Sequence, residues 1–146
     1  MRFDALGVGG GPAGMIAAGT AARRGLSVCL LEKNAVLGRK LRITGKGRCN
    51  VTNDCGVREM IEATPTNGRF LYGAAVRFPP SGTMRFFEEL GVPLKTERGR
   101  RVFPVSDRAA DVAEAMVRFC RRAGVTFLRG EAERFLLENG RVAGVA

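Results

Sequence analysis

The stretch Asp4-Ala-Leu-Gly-Val-Gly-Gly-Gly-Pro-Ala-Gly14, followed by an alanine-rich run to Arg24 and by Leu26-Ser-Val-Cys-Leu-Leu-Glu-Lys33, decides the fold. It reads as a strand over Phe3 to Val8, a glycine turn, a helix from Ala13 to Arg24 stopped by Gly25, and a second strand over Leu26 to Leu31. Each glycine of Gly9-x-Gly11-x-x-Gly14 meets a separate steric demand. Gly9 permits the tight turn, Gly11 removes the Cβ that would obstruct a pyrophosphate, and Gly14 lets helix and sheet pack closely. Phosphate charge is met by backbone N–H groups at the positive end of the helix. Glu32 lies 18 residues beyond Gly14 at the end of the second strand, where a carboxylate accepts hydrogen bonds from a ribose diol and disfavours a 2′-phosphate. The pattern predicts a right-handed βαβ unit that holds a dinucleotide. Proline after the glycines and Glu32-Lys33 after the second strand favour a flavin site, although this fold serves FAD and NAD alike.

The rest of the 146-residue chain sets limits. It is long enough for one domain with a real core, and 45% apolar residues suit a soluble class. No apolar run reaches the roughly 20 residues of a membrane span, and the first ten residues lack a signal-peptide pattern, so a cytoplasmic location is expected. Four cysteines without CxxC spacing, and no histidine, argue against a metal site, a disulfide framework and imidazole-based hydrolysis. Cys29 and Cys120 read as core filler.

A formal charge of +10 raises the question of nucleic acid. Lys33, Arg39, Lys40, Arg42, Lys46 and Arg48 lie in one segment without an acid between them. Directly beyond a pyrophosphate turn, that cluster is explained more economically by cofactor phosphates. The arginines of 98–101 and 118–122 read as solvated faces. With no interleaved aromatic platform, no nucleic-acid partner is expected.

Residues 33–53 form a long basic segment punctuated by glycine, with a short helix expected at 37–42. Asn53 or Asp54 is expected to cap a helix through Ala63. Residues 68–78 read as helical, with Phe70, Leu71, Ala74, Ala75 and Phe78 as a core stripe. Ser81 is expected to cap the next helix, which ends at Gly91. Short strands at Leu94 to Thr96 and Arg101 to Phe103 flank a turn at Gly99. Ser106 is expected to cap a helix from Asp107 to Ala123. A third parallel strand follows at Val125 to Leu128, and Asn139-Gly140 signals a type I′ hairpin between Ala132 to Leu137 and Arg141 to Val145.

Gly38-Arg-Lys-Leu-Arg-Ile-Thr-Gly-Lys-Gly-Arg-Cys-Asn-Val-Thr-Asn53, together with Gly99-Arg-Arg-Val-Phe-Pro-Val-Ser-Asp107, resembles the BaiN-like, aminoacetone-oxidase-like NAD(P)/FAD-dependent oxidoreductases over essentially the whole chain. The resemblance implies an α/β, Rossmann-type FAD-binding domain of the two-dinucleotide-binding kind, with a parallel sheet, a helical insert at about 54–92 and a β-meander. It implies FAD as cofactor, NAD(P)H as a potential electron donor and a small organic substrate. Gly9, Gly11, Pro12, Ala13 and Gly14 would cradle the pyrophosphate, Glu32 and Lys33 would hold the adenosine ribose, and Arg39 and Lys40 would lie beside the phosphates. Thr44, Gly45, Gly47, Arg48, Cys49 and Asn50 would run along the ribityl chain toward the ring, with Arg48 lending positive charge. The backbone near Ala132 would touch adenine.

Lys46 departs from the family, which commonly has glycine there. Cys49 admits two readings, a thiol made reactive by Lys46 and Arg48 or a structural contact to FAD, and the lack of a partner cysteine favours the second. No catalytic acid or base is assigned. Family members run to several hundred residues, so residues 1–146 are expected to be an N-terminal portion without the closing strand and the substrate domain. Such a portion is expected to be inactive, to bind FAD weakly and to self-associate through an open edge at Ala5 to Val8. A non-catalytic nucleotide-binding module and an NAD-binding Rossmann enzyme are the competing readings.

Overall fold

The computed structural model describes residues 1–146. In chain order its elements are β1 (Ala5–Val8), α1 (Pro12–Arg23), β2 (Val28–Glu32), β3 (Thr52–Asn53), α2 (Val57–Glu62), α3 (Tyr72–Arg77), α4 (Pro80–Glu89), β4 (Leu94–Glu97), β5 (Arg101–Pro104), α5 (Ala109–Arg122), β6 (Thr126–Arg129), β7 (Phe135–Glu138) and β8 (Arg141–Val145). They form two compact units, Met1–Leu41 with Met116–Ala146, and Arg42–Ala115; the boundary falls within α5.

The first unit carries a parallel sheet of order β1-β2-β6. Ala5 pairs with Val28, and Cys29 with Thr126, each register running on in parallel. β2 is central, and Val28, Cys29 and Leu30 are fully buried, as an unbroken apolar run covered on both faces requires. β1 lies at the sheet edge and its burial alternates. α1 starts with Pro12 in its first turn, where a missing N–H costs nothing, and Gly25 at φ +89° closes its C-terminus. Gly19 of α1 lies against the ring of Phe119, where a Cβ would have no room. The Cys120 thiol donates to the Met15 carbonyl at 3.1 Å, so both cysteines expected in the core are there. β7 and β8 form the expected hairpin, with Asn139 and Gly140 at φ +50° and +74°.

The second unit is built on an antiparallel sheet of order β3-β5-β4, with helices α2 to α4 between β3 and β4 in sequence. Val102, Phe103, Val92, Phe87 and Cys49 are buried in its core, with Val112 and Ala113 of α5. Gly99 turns at φ +74° between β4 and β5, as expected.

Several local expectations fail here for identifiable reasons. The helix expected at 37–42 is replaced by a kinked 3-10 turn over Leu41–Gly47. The helix expected from Asn53 or Asp54 starts at Val57 behind Gly56, because Thr52–Asn53 pairs with β5 instead. Ser81 lies inside α4, whose first turn is set by Pro80. Ser106 caps nothing: Asp107 is left-handed at φ +55°, and α5 begins only at Ala109. Most consequentially, the 68–78 stripe is not core. It breaks into a 3-10 turn over Gly68–Leu71 and α3, Ala75 alone is buried, and Phe70 is 88% exposed.

Candidate functional site

Within the first unit the glycine turn lies at the carboxyl ends of β1, β2 and β6, the end at which open parallel sheets hold ligands. The three glycines differ as their spacing implies. Gly9 sits at φ +98°, which an L side chain rarely adopts. A Cβ on Gly14 would fall on the carbonyl oxygen of Gly9, so helix and turn touch backbone to backbone. A Cβ on Gly11 would meet nothing within 4 Å. Gly11 is also the N-cap of α1, at φ −82° and ψ 179°, with no side chain capping the helix. The first turn of α1 therefore keeps its N–H groups and positive dipole end beside an open space, which is the cradle an anionic phosphate fits. Pro12 and Ala13 are exposed on that first turn.

Gly10, which the fingerprint leaves free, is closely packed by side chains. A Cβ there would strike Leu37 and crowd Glu32, and its carbonyl accepts the Gly38 N–H at 2.8 Å. Glu32 has a second task that sequence reasoning missed. Its Oε2 accepts the Gly10 N–H at 2.7 Å, while Oε1 accepts the backbone and side-chain N–H groups of Asn34 at 2.8 and 2.5 Å. The carboxylate thus pins the glycine turn to the end of β2. The Asn34 N–H first, and the Gly10 N–H with it, hold its pKa below the ordinary glutamate value, so it is ionised at neutral pH. Oε1 already accepts two bonds, whereas Oε2 accepts one and retains acceptor capacity for a sugar hydroxyl.

Beside it, Lys33 Nζ pairs with Glu131 at 2.7 Å, the Gly130 N–H donates to the Glu32 carbonyl at 3.0 Å, and Ala132 follows directly. Glu32 and Lys33 thus contact the segment that follows β6. Arg39 is exposed and donates to Asn34 Oδ1 at 3.2 Å; Lys40 is exposed.

Thr44, Gly45, Gly47, Arg48, Cys49 and Asn50 belong to the second unit. Their loop has an unusual backbone: Gly45, Lys46 and Gly47 are successively left-handed at φ +55°, +58° and +84°, and Cys49 follows at +62°. The Cys49 N–H closes the loop on the Thr44 carbonyl at 3.0 Å, and the Arg48 N–H bonds that of Gly45 at 3.2 Å. The Asn50 amide, in the orientation its acceptors require, donates to the carbonyls of Thr52 at 2.9 Å and Val102 at 3.2 Å. Lys46 occupies a left-handed position that glycine would take without strain.

Two features of this loop bear on its charge and on its thiol. Arg48 does not offer a free charge. Its guanidinium lies 4.2 Å from the centroid of the Phe103 ring and donates to Asp107 Oδ1 from Nε and Nη2 at 2.8 and 2.6 Å, and from Nη2 to Glu97 at 2.5 Å. Asp107 is further held by Lys95 at 2.6 Å. Cys49 is 1% exposed, and burial pushes its thiol pKa up against a weaker opposing bond from Thr44, so the activated-thiolate reading falls. Phe103 and Asp107 were visible only as members of the 99–107 motif, and Lys95 and Glu97 carried no signal at all.

The sequence profile of the HI0933-like protein Rossmann domain matches residues 3–142. The chain belongs to that family. It is a family of FAD-dependent oxidoreductases, in agreement with the resemblance carried by residues 38–53 and 99–107. The chain is 36% identical over 128 residues to the 3-dehydro-bile acid delta(4,6)-reductase of Clostridium scindens, a match covering 84% of this chain and 30% of that protein. It is 31% identical over 131 residues to the ribosomal RNA dihydrouridine synthase of Escherichia coli, covering 89% and 32%. It therefore spans about a third of the length of these curated relatives. A solved 3-ketosteroid-delta4-(5alpha)-dehydrogenase from Rhodococcus jostii RHA1 shares the fold at a TM-score of 0.75 and 15% identity, over 98% of this chain and 41% of that one.

Proposed function

We propose that this chain binds FAD as the Rossmann part of an oxidoreductase that transfers hydride between flavin and a small organic substrate, with NAD(P)H as electron donor. The observation that carries the reading is the empty space over Gly11 at the uncapped N-terminus of α1, with the ionised Glu32 pinned beside the turn. In this reading the N–H groups of Gly11 and of the residues after Pro12 hold the pyrophosphate, those of Gly9 and Gly10 being bonded to Leu31 and Glu32 of β2, while Glu32 Oε2 accepts a hydroxyl of the adenosine ribose. Backbone past β6, near Ala132, lies against adenine. The motif resemblance assigns the loop Thr44–Asn50 to the ribityl chain and ring, and Gly47, whose Cβ position meets nothing within 4 Å, leaves its backbone open to a ligand. Flavin supplies the electron chemistry when bound; the protein orients it and tunes it.

Titration of the purified chain with FAD, followed by quenching of flavin fluorescence and by absorbance near 450 nm, tests the reading. Saturable quenching that ADP competes away is expected. Tighter binding of NAD than of FAD, or no quenching up to millimolar FAD, would overturn it.

A further inference from the structure

We propose that Asp107 is a positioning residue that anchors, through Arg48, the loop Thr44–Asn50. The anchoring stands on geometry within the second unit alone; its consequence for flavin rests on the function proposed above.

A loop in which Gly45, Lys46, Gly47 and Cys49 are left-handed persists only if its surroundings over-determine it. The surroundings are the 99–107 motif. The Val51 N–H bonds the Val102 carbonyl and the Asp54 N–H the Arg100 carbonyl, both at 2.8 Å, and Asn53 Nδ2 donates to the Gly99 carbonyl at 2.8 Å. Phe103 lies under both ends of the loop, with Cε1 3.4 Å from the Cβ position of Gly45 and its ring below the Arg48 guanidinium. Asp107 completes the bed by gripping Nε and Nη2 of Arg48 with one oxygen while Lys95 holds the other. The charged groups around Arg48 are Glu97, Asp107 and, behind them, Lys95. A two-nitrogen grip across 59 residues of sequence fixes direction as well as distance, which a lysine at position 48 could not do. The two motifs are therefore one device: residues 99–107 are the mould, and residues 44–50 are what it shapes.

Amide hydrogen exchange and FAD affinity, measured on the full chain for wild type, Asp107→Asn, Arg48→Lys and the double variant, separate anchoring from other roles. Each single variant is expected to speed exchange at residues 45–50 by about tenfold while β2 stays protected, and the double variant to add nothing further. FAD affinity is expected to fall by the same factor. Wild-type exchange at 45–50 in Asp107→Asn, or exchange rising equally in β2, would overturn the anchor. So would Arg48→Lys matching wild type, since retained charge would then suffice. If the wild-type chain does not quench FAD fluorescence, the flavin reading falls, and the exchange data still decide the anchor.

Discussion

Replacing Gly11 and Gly14 separately with alanine divides the cofactor role of the turn from its structural role. At Gly11 the backbone, φ −82° and ψ 179°, accepts any L residue, and the new methyl meets nothing within 4 Å. Loss of unfolded-state freedom stabilises by about 0.4–1 kcal/mol. Alanine is a poorer N-cap than glycine by a similar amount, so the net change should lie within about 0.5 kcal/mol. On the proposed function, the methyl nevertheless stands where a phosphate oxygen approaches the α1 N–H groups. Losing charged hydrogen bonds worth about 1.5–3 kcal/mol corresponds to roughly ten- to hundredfold weaker FAD binding. Gly14→Ala behaves oppositely, because its methyl lands on the Gly9 carbonyl oxygen and only backbone can yield. Overpacking of that kind costs about 1–3 kcal/mol. Urea midpoints and FAD fluorescence titrations on both variants provide the readouts. Wild-type FAD affinity in Gly11→Ala, or equal destabilisation by the two substitutions, would refute the reasoning.

Four further outcomes are expected. Lys46→Gly relieves left-handed strain of about 1–2 kcal/mol against about 0.5–1 kcal/mol of added unfolded-state entropy, so the thermal midpoint should rise by about 2–4 °C; a fall in a melting curve would contradict this. The folded-state pKa of Asp107 is lowered by Lys95 and then Arg48, and that of Glu97 by Arg48, so their stabilisation is complete above the ordinary carboxylate range and fades as pH falls through the lowered values. Urea midpoints from pH 7 to 3 should therefore drop on the acid side, less steeply in Asp107→Asn. One thiol, Cys55, should react rapidly with a disulfide reagent at pH 8, because Cys29, Cys49 and Cys120 are buried and burial raises the Cys120 thiol to about 11; a burst of two or more would contradict the packing. β1 pairs on one side only and leaves Val8 57% exposed, so light scattering should show self-association that Val8→Lys reduces.

What the sequence revealed was local, or periodic within a single element. Gly9, Gly11, Gly14 and Gly25 bracket one helix and two strands, and Asn139-Gly140 bends one hairpin; each works through its own backbone, so its consequence is readable in place. The failures share the opposite property. Apolar spacing at Phe70, Leu71 and Phe78 shows that a helix face is apolar but carries no statement of what covers it, and here Phe70 is open while Phe78 packs edge-on against Phe86. Ser81 and Ser106 are good capping residues that lost to stronger local constraints, the fixed φ of Pro80 and the left-handed Asp107. β3 is two residues long and exists because β5 pairs with it. Glu97 and Asp107 are 49 and 59 residues from Arg48, and no spacing rule reaches that far.

The same distinction changes the meaning of the basic segment. Counted along the chain, Lys33, Arg39, Lys40, Arg42, Lys46 and Arg48 form an uncompensated run that invites assignment to phosphates. In three dimensions half of it is compensated by acids far away in sequence: Lys33 by Glu131, Arg42 by Glu114, and Arg48 by Glu97 and Asp107. Arg39, Lys40 and Lys46 remain outside ion pairs, all three exposed, where solvent and salt screen them most. On the function proposed above, phosphate recognition at the glycine turn rests chiefly on backbone N–H groups and the α1 dipole, whose positions the fold itself fixes. Side-chain cations add a salt-sensitive increment. Neutralising Lys40 together with Lys46 should weaken FAD binding only severalfold and flatten its dependence on ionic strength, whereas Gly11→Ala should weaken it at every salt concentration. A loss in the double lysine variant as large as that in Gly11→Ala would transfer the recognition from backbone to side chains.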